Sequence, residues 1–267
     1  MKKVLITGVS SFVGCHLAKK FSRYYQVIGT CTREPWDYEG LRRLRLDSIK
    51  SDVEIICMNI LDKDSVEKAL RGCRPDHWIH HAGYAKNYSS LDYNLEESLQ
   101  TNLFCLKECY NLFKKYDVEK VIVTGSSMEY GNSDLALCES IACVPNTPYG
   151  LSKLTTSLRS IALARELNIP TAVLRIFIPF GCFDEPKRLI PAVFDSLRNG
   201  RAVDLTPCTQ KRDFIFIDDL VMIYRSVLEG LSETSTGIYN ACSGSPVSLR
   251  DFLECLAEKM KCDKNLL

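Results

Sequence analysis

The chain of 267 residues carries a formal net charge of +1, with 46% hydrophobic and 25% charged residues. It is long enough for one large α/β domain or two small ones, and its charge balance shows no bias toward nucleic acid or an acidic membrane surface. No run approaches the ~20 apolar residues of a bilayer span, and the thirteen cysteines contain no Cys-x-x-Cys, which argues against a zinc site and predicts a reduced, cytoplasmic setting.

Lys3–Thr7 reads as the first strand, and Thr7-Gly8-Val9-Ser10-Ser11-Phe12-Val13-Gly14 directly after it opens a helix. Strand, glycine turn and helix in that order are the context of a dinucleotide fingerprint. Gly8 and Gly14 let the backbone approach a pyrophosphate resting on the positive helix N-terminus, with Ser10, Ser11, Phe12 and Val13 completing the lining. Ser11 stands where the usual Gly-x-x-Gly-x-x-Gly has its central glycine. Its hydroxyl either donates to a phosphate or weakens the close approach. Gln26–Thr30, Val53–Asn59, His77–His81, Lys120–Thr124 and Thr171–Ile176 read as further strands. Amphipathic helical stretches between them predict right-handed βαβ units and a parallel sheet.

The strand ends carry the chemistry. After the second strand, Thr30-Cys31-Thr32-Arg33 offers a hydroxyl and a guanidinium where an acid would bind the ribose hydroxyls of NAD, which favours NADP. The alternative leaves Arg33 as an exposed loop arginine, with Glu34 or Asp37 serving the ribose of NAD. Asn59 and Ile60 after the third strand are candidate adenine contacts, and His81-Ala82-Gly83 after the fourth supplies small residues where the cofactor backbone passes. Such strand ends in register form a crevice at the carboxyl edge of a sheet.

Tyr149 and Lys153 lie one turn apart on a helix that Asn146-Thr147-Pro148 introduces, since a cap residue and a proline suit a first turn. A tyrosine hydroxyl ionises near pH 10, so it shuttles protons at neutrality only if a fixed cation stabilises the phenolate; Lys153 is the candidate cation. After Thr171–Ile176 the pattern loosens through Pro179, Gly181, Pro186, Pro191 and Pro207, which places a small lobe there. The expected division is 1–176, with a returning segment of about 212–240, as the dinucleotide domain, and 177–211 with 241–267 as the lobe.

Together these residues resemble the extended short-chain dehydrogenase/reductase family of nucleotide-sugar epimerases, dehydratases and 4-ketoreductases. The likeness runs almost end to end. It includes Asn102, Thr124-Gly125-Ser126-Ser127-Met128-Glu129-Tyr130-Gly131, Pro148-Tyr149, the run from Leu174-Arg175 to Gly181, Arg188 to Pro191, Arg212-Asp213-Phe214 with Asp218-Asp219, and Tyr239-Asn240 to Gly244. The resemblance implies an α/β fold, a Rossmann-like doubly wound parallel sheet with a small C-terminal substrate-binding lobe. It implies Tyr149 as general acid/base, Lys153 lowering its pKa and holding the nicotinamide ribose, and Ser126 bonding the substrate oxygen. Arg212 would pair with the phosphates of a nucleotide-sugar substrate, against the plainer role of neutralising Asp213.

Dehydratases of this family place an Asp or Ser and then a Glu after the catalytic hydroxyl, where this chain has Ser127 and Met128. A thioether moves no protons, so dehydration is disfavoured. Glu129, if the strand continues, points away from Met128. A 4-ketoreductase or a 4-epimerase remains; the NADP reading and the run Thr209 to Phe214 favour reduction. A non-catalytic dinucleotide-binding scaffold is the reading from another class, suited by Ser11 and by Ile178 in place of a common asparagine, but opposed by the intact Ser126, Tyr149 and Lys153. Relatives usually continue past the position of Leu267, so the lobe is expected to be small, with Lys86, Tyr84 and Tyr88 as replacement substrate contacts. The resemblance also implies a homodimer through helices at Leu91–Tyr116 and Thr155–Leu167, with Leu158, Ile161 and Ala162 on the shared face. His16, His77, His80 and His81 lack a convergent metal-ligand spacing.

Overall fold

The computed structural model describes residues 1–133 and 136–267. Its main sheet is built from apolar runs buried on both sides, the pattern a parallel strand needs when helices cover both faces. Val4, Leu5 and Ile6 of β1 (Lys3–Thr7) are fully buried, as are Trp78 and Ile79 of β4 (His77–His80) and Val121 and Ile122 of β5 (Lys120–Ser126). With β2 (Gln26–Cys31), β3 (Glu54–Cys57), β6 (Thr171–Ile176) and β10 (Gly237–Ala241) they form a seven-stranded sheet in the order β10-β6-β5-β4-β1-β2-β3, parallel throughout. This is a Rossmann-like doubly wound sheet. The strand order reverses between β1 and β4, and the crevice at such a switch point is where ligands bind in open α/β sheets.

The connecting helices are α1 (Phe12–Phe21), α2 (Gly40–Ile49), α3 (Lys63–Cys73), α4 (Leu95–Leu99), α5 (Leu106–Lys115) and α6 (Pro148–Leu167). Thr147 caps α6 by accepting from the Gly150 N–H at 3.0 Å, Pro148 takes the first turn, and Asn168 ends the helix in the left-handed region at φ 53°. On one face of the sheet Trp78 packs on Phe113 with ring centroids 4.7 Å apart, within a core that includes Leu5, Ile28, Tyr110 and Val173.

Several boundaries differ from the sequence reading: the second strand runs on to Cys31 and the fifth to Ser126, and the third begins at Glu54. The third strand stops at Cys57, because Asn59 turns the chain, its Oδ1 accepting from the Leu61 N–H at 3.1 Å. The fourth stops at His80, so His81 belongs to the loop. The stretch 91–116 is not one helix: α4 gives way to a π-helical turn, Gln100–Phe104, before α5. Within that turn Asn102 is buried, and its side chain serves the loop after β4.

The chain divides into two compact units, Met1–Ile176 with Val221–Ala241, and Phe177–Leu220 with Cys242–Leu267. The return to the first unit therefore begins at Val221, later than residue 212. The reason is local pairing: β9 (Phe214–Phe216) lies parallel to β7 (Ile178–Phe180), and β8 (Lys211–Arg212) pairs antiparallel with β11 (Val247–Ser248). The second unit's core joins Val193 and Leu197 of α7 (Leu189–Arg198) to Leu253 and Ala257 of α9 (Leu249–Lys259), with Phe214 stacked on Phe252 at 4.2 Å. The remaining helix, α8 (Ile217–Gly230), runs across the division.

Candidate active site

The glycine turn after β1 is shaped by close backbone approach. Gly8 sits at φ +75°, and a Cβ there would stand 3.0 Å from the Ala82 Cα. A Cβ on Gly14 would stand 2.3 Å from the Gly8 carbonyl oxygen and 2.7 Å from Ser11 Oγ. Ser11 is the N-cap of α1: its hydroxyl donates to the Gly8 carbonyl at 2.8 Å and accepts from the Gly14 N–H at 3.1 Å. The expected donation to a phosphate is thus corrected, since the Ser11 proton is already given to the loop itself. Ser10 is buried, as are Phe12 and Val13, whose side chains are core. Thr7, fully buried, accepts at Oγ1 from the His81 and Ala82 N–H groups at 2.9 and 2.8 Å. It ties the loops after β1 and β4 together. A nicotinamide dinucleotide fits this turn in its chemistry, because a glycine-shaped strand-to-helix turn ends at the N-terminus of α1, where backbone N–H groups favour a pyrophosphate.

Thr32 and Arg33 follow β2 and are exposed. The Arg33 guanidinium lies over the Tyr38 ring at 4.7 Å, and the Tyr38 hydroxyl contacts Thr32 Oγ1 at 3.3 Å. Asn59 is exposed, whereas Ile60 is buried in the core cluster of α3 and α5. As placed, its side chain serves packing rather than an adenine. Ala82 is partly exposed and Gly83 exposed; a Cβ on Gly83 would stand 2.8 Å from Asn102 Oδ1. Asn102 accepts from the Tyr84 N–H at 2.8 Å and donates to the Ser98 and Ser152 hydroxyls at 3.1 and 3.2 Å. Tyr93, also buried, donates its hydroxyl to Ser98 at 2.6 Å. This cluster was not legible apart from Asn102, because serines and tyrosines on helices carry no signal of their own.

Ser126 closes β5, and its hydroxyl accepts from the Met128 N–H at 3.2 Å. Tyr149 opens α6, with its ring centroid 5.5 Å from that of Tyr88 and 5.7 Å from that of Tyr93. Burial of its hydroxyl end pushes Tyr149 well above the ordinary tyrosine value; Tyr93 adds to this, the Ser126 hydroxyl opposes it, and the charge of Glu129 raises it further. Lys153 is buried and donates to the Thr124 carbonyl oxygen. Burial lowers its pKa and Glu129 counteracts that.

His81 bonds through Nδ1 to Thr124 Oγ1 at 3.0 Å, and Thr124 Oγ1 contacts the Tyr224 hydroxyl at 2.7 Å. Burial and then Lys153 hold His80 down to about 4, and the same causes with His80 added hold His81 down to about 3, so both imidazoles are neutral. Glu129 is fully buried. Residues 127–129 form a 3-10 turn rather than more strand, so strand alternation does not govern where Glu129 points.

The remaining sequence candidates fall elsewhere. Ser127 and Met128 are partly exposed in that 3-10 turn, and Lys86 is exposed in the loop after Gly83. In the second unit Ile178 packs against the core, and Arg212 is exposed and donates to the Lys211 carbonyl at 2.8 Å. Asp213 instead accepts from the Ser243 and Gly244 N–H groups at 2.7 and 2.9 Å. Among the described residues no cluster of His, Cys, Asp and Glu could hold a metal ion, and no helix is long and apolar enough to cross a membrane.

A Rossmann-like sheet with this glycine turn, and with serine, tyrosine and lysine at the ends of β5 and α6, defines an extended short-chain dehydrogenase/reductase. Residues 4–242 match the model of the NAD dependent epimerase/dehydratase family; the chain belongs to that family and is an enzyme. It is similar to Protein CapI of Staphylococcus aureus, 24% identical over 280 residues, 97% of this chain and 83% of that protein. It is similar to the dTDP-4-dehydro-6-deoxyglucose reductase of Escherichia coli, 31% identical over 176 residues, 64% of this chain and 54% of that protein. Among solved structures, the UDP-glucuronic acid 4-epimerase of Bacillus cereus, in complex with UDP-glucuronic acid and NAD, matches with a TM-score of 0.82 at 23% identity, covering 96% of this chain and 83% of that one. That likeness shows the fold.

Proposed function

We propose that the enzyme reduces the C4 keto group of a nucleotide-linked 4-keto-6-deoxyhexose, with NADP as the preferred cofactor. The observation that carries this reading is the grouping of Ser126 at the end of β5 with Tyr149 and Lys153 one turn apart at the start of α6, the phenol being protonated near neutrality. Such a group is ready to give a proton rather than to take one. When bound, the cofactor supplies the hydride. Tyr149 gives its hydroxyl proton to the C4 oxygen as the carbonyl carbon is reduced, Ser126 donates a hydrogen bond to the same oxygen, and the Lys153 ammonium stabilises the phenolate left behind. The absence of a carboxylate at position 128, and the engagement of Glu129 in the buried interior, speak against dehydration. The identity to the Escherichia coli reductase supports the substrate class. Exposed Thr32 and Arg33 support NADP, with Arg33 leaving Tyr38 to meet the 2′-phosphate.

A homodimer is proposed through the outer face of α6, where Leu151 and Leu158 are 42% and 55% exposed, together with Phe104, 59% exposed. Ile161 is excluded from that face, being 8% exposed in the core, while Ala162 remains on it. The thirteen cysteines, with no disulfide among the described residues, fit a reducing, cytoplasmic setting. The test is loss of reduced-nicotinamide absorbance with NADPH or NADH and a panel of nucleotide-linked 4-keto-6-deoxyhexoses, with Tyr149→Phe as control. Consumption of NADPH by the wild type alone is expected. Cofactor binding without consumption overturns the reductase reading and turns the search to 4-epimerisation of intact nucleotide sugars.

A further inference from the structure

Behind Ser126 lies a carboxylate that no step above uses. Glu129 is 0% exposed, a costly place for a charge unless every lone pair is met. One oxygen accepts from the Ser126 backbone N–H at 2.8 Å and from the Ser157 hydroxyl at 2.9 Å, and the other accepts from Arg175 Nε at 2.8 Å. Ser126 ends β5, Ser157 lies on α6 one turn beyond Lys153, and Arg175 is on β6. Arg175, itself buried, lies over the Tyr130 ring at 4.5 Å, and the Tyr130 hydroxyl donates to Asn240 Oδ1 of β10 at 2.8 Å. The site is shaped around the carboxylate: a Cβ on Gly125 would stand 2.7 Å from Glu129 Oε1.

We propose that Glu129 is a positioning residue for the serine, tyrosine and lysine site, fixing Ser126 and the turn of α6 that carries Lys153 against each other, with Arg175 as its counterion. Its charge acts on the same residues, favouring the neutral phenol at Tyr149 and the charged ammonium at Lys153, the two states that proton donation requires. Tyr149 is faced also by Tyr88 and Tyr93 from the loop before α4 and by Tyr224 from α8. Phenols carry no charge near neutrality, so among these groups Glu129 is the one whose charge acts on Tyr149. Glu129 in turn acts on Arg175, Lys153 and the Cys143 thiol, which burial pushes up.

The kinetic part of the test rests on the reductase reading; the structural part does not. Glu129→Gln keeps an acceptor for the Ser126 N–H but removes the charge. Removing it lowers the Tyr149 pKa, so the alkaline limb of the reduction rate moves to lower pH by about half a unit or more, with kcat down about tenfold and KM little changed. Because Arg175 would be left buried without its partner, the double variant Glu129→Gln, Arg175→Gln is made if the single variant unfolds; with both opposite charges gone the limb should move little, and the roughly tenfold loss of kcat at little-changed KM is then the readout. Hydrogen exchange supplies the second readout: the Ser126 amide should exchange at least about tenfold faster in Glu129→Ala than in the wild type, and near the wild-type rate in Glu129→Gln. A folded Gln variant with unchanged limb and kcat, or an Ala variant with Ser126 fully protected, overturns the proposal. A wild type inactive on every substrate refutes the reductase reading instead, and the Ser126 exchange rates then decide the positioning role alone.

Discussion

Replacing Gly14 with Ala tests whether the cofactor cradle is set by backbone contact. The added methyl would lie 2.3 Å from the Gly8 carbonyl oxygen and 2.7 Å from Ser11 Oγ, so relief requires roughly 1 Å of movement between α1 and the turn. Neither neighbour yields freely. One is backbone and the other is the N-cap whose bond to Gly14 holds the helix start. Overpacking of this kind costs about 1–3 kcal/mol, and loss of the cap adds about 1 kcal/mol. A total of about 2–4 kcal/mol lowers Tm by about 4–16 °C in a chain of this size. The displaced N–H groups should also weaken dinucleotide binding at least about tenfold. Thermal unfolding and titration of reduced-nicotinamide fluorescence read the two effects. Gly72→Ala is the control, since nothing lies within 4 Å of a Cβ there; on α3 it should stabilise by up to about 1 kcal/mol. A Gly14→Ala variant with wild-type Tm and wild-type cofactor affinity would refute the contact argument.

Arg33→Ala should weaken NADPH binding about 10–100-fold, the value of a charge-assisted hydrogen bond, and leave NADH binding nearly unchanged; equal losses in fluorescence titrations would remove Arg33 as the phosphate reader. The neutral buried imidazoles make stability depend on pH. Their folded values of about 4 for His80 and about 3 for His81 lie below the ordinary 6.5, so the unfolded chain binds more protons in that window. Stability is fully present above the ordinary histidine value and is lost as pH falls, by up to about 1.4 kcal/mol per unit for each ring. His81→Gln should flatten the fall in Tm between about pH 7 and about pH 5, and an unchanged slope would show that His81 titrates normally. Leu158→Glu, at an exposed position of α6, should halve the mass measured by light scattering if that face joins two copies. A wild type that is already monomeric at working concentration contradicts the interface.

The central strands were legible because they are buried on both faces, in runs such as Val4-Leu5-Ile6 and Val121-Ile122-Val123, whereas the partly exposed edge strand Gly237–Ala241 was not read as a strand. The Ser126, Tyr149 and Lys153 positions were legible by resemblance, and the Thr147 cap by residue type. What escaped depends on contacts between distant segments. The π-helical turn at Gln100–Phe104 breaks a stretch whose apolar spacing fits a continuous helix. Ser11 stands in a glycine's place, which leaves phosphate donation and a weakened approach both open, and only the folded turn shows its hydroxyl completing a cap. Ile60 and Ile161 have the side chains of ligand or interface contacts but pack in the core. Glu129 could be noticed but not placed, since its partners are 28 and 46 residues away in the chain.

The position of β10 affects how the sheet is completed during synthesis. It pairs with β6, yet most of the chain between them, Phe177–Leu220, belongs to another compact unit, and α8 follows before β10. Until Gly237–Ala241 leaves the ribosome, the row of N–H and C=O groups along the outer side of β6 has no strand to meet. With roughly 60 residues to be translated at about 5–20 residues per second, that interval is about 3–12 s. The waiting strand, Thr171-Ala172-Val173-Leu174-Arg175-Ile176, is apolar and carries a single charge. A bare edge of that kind recruits other chains. Yield on rapid overexpression should therefore respond to slower translation or to a chaperone that shields strand edges, even though the finished sheet has this edge covered.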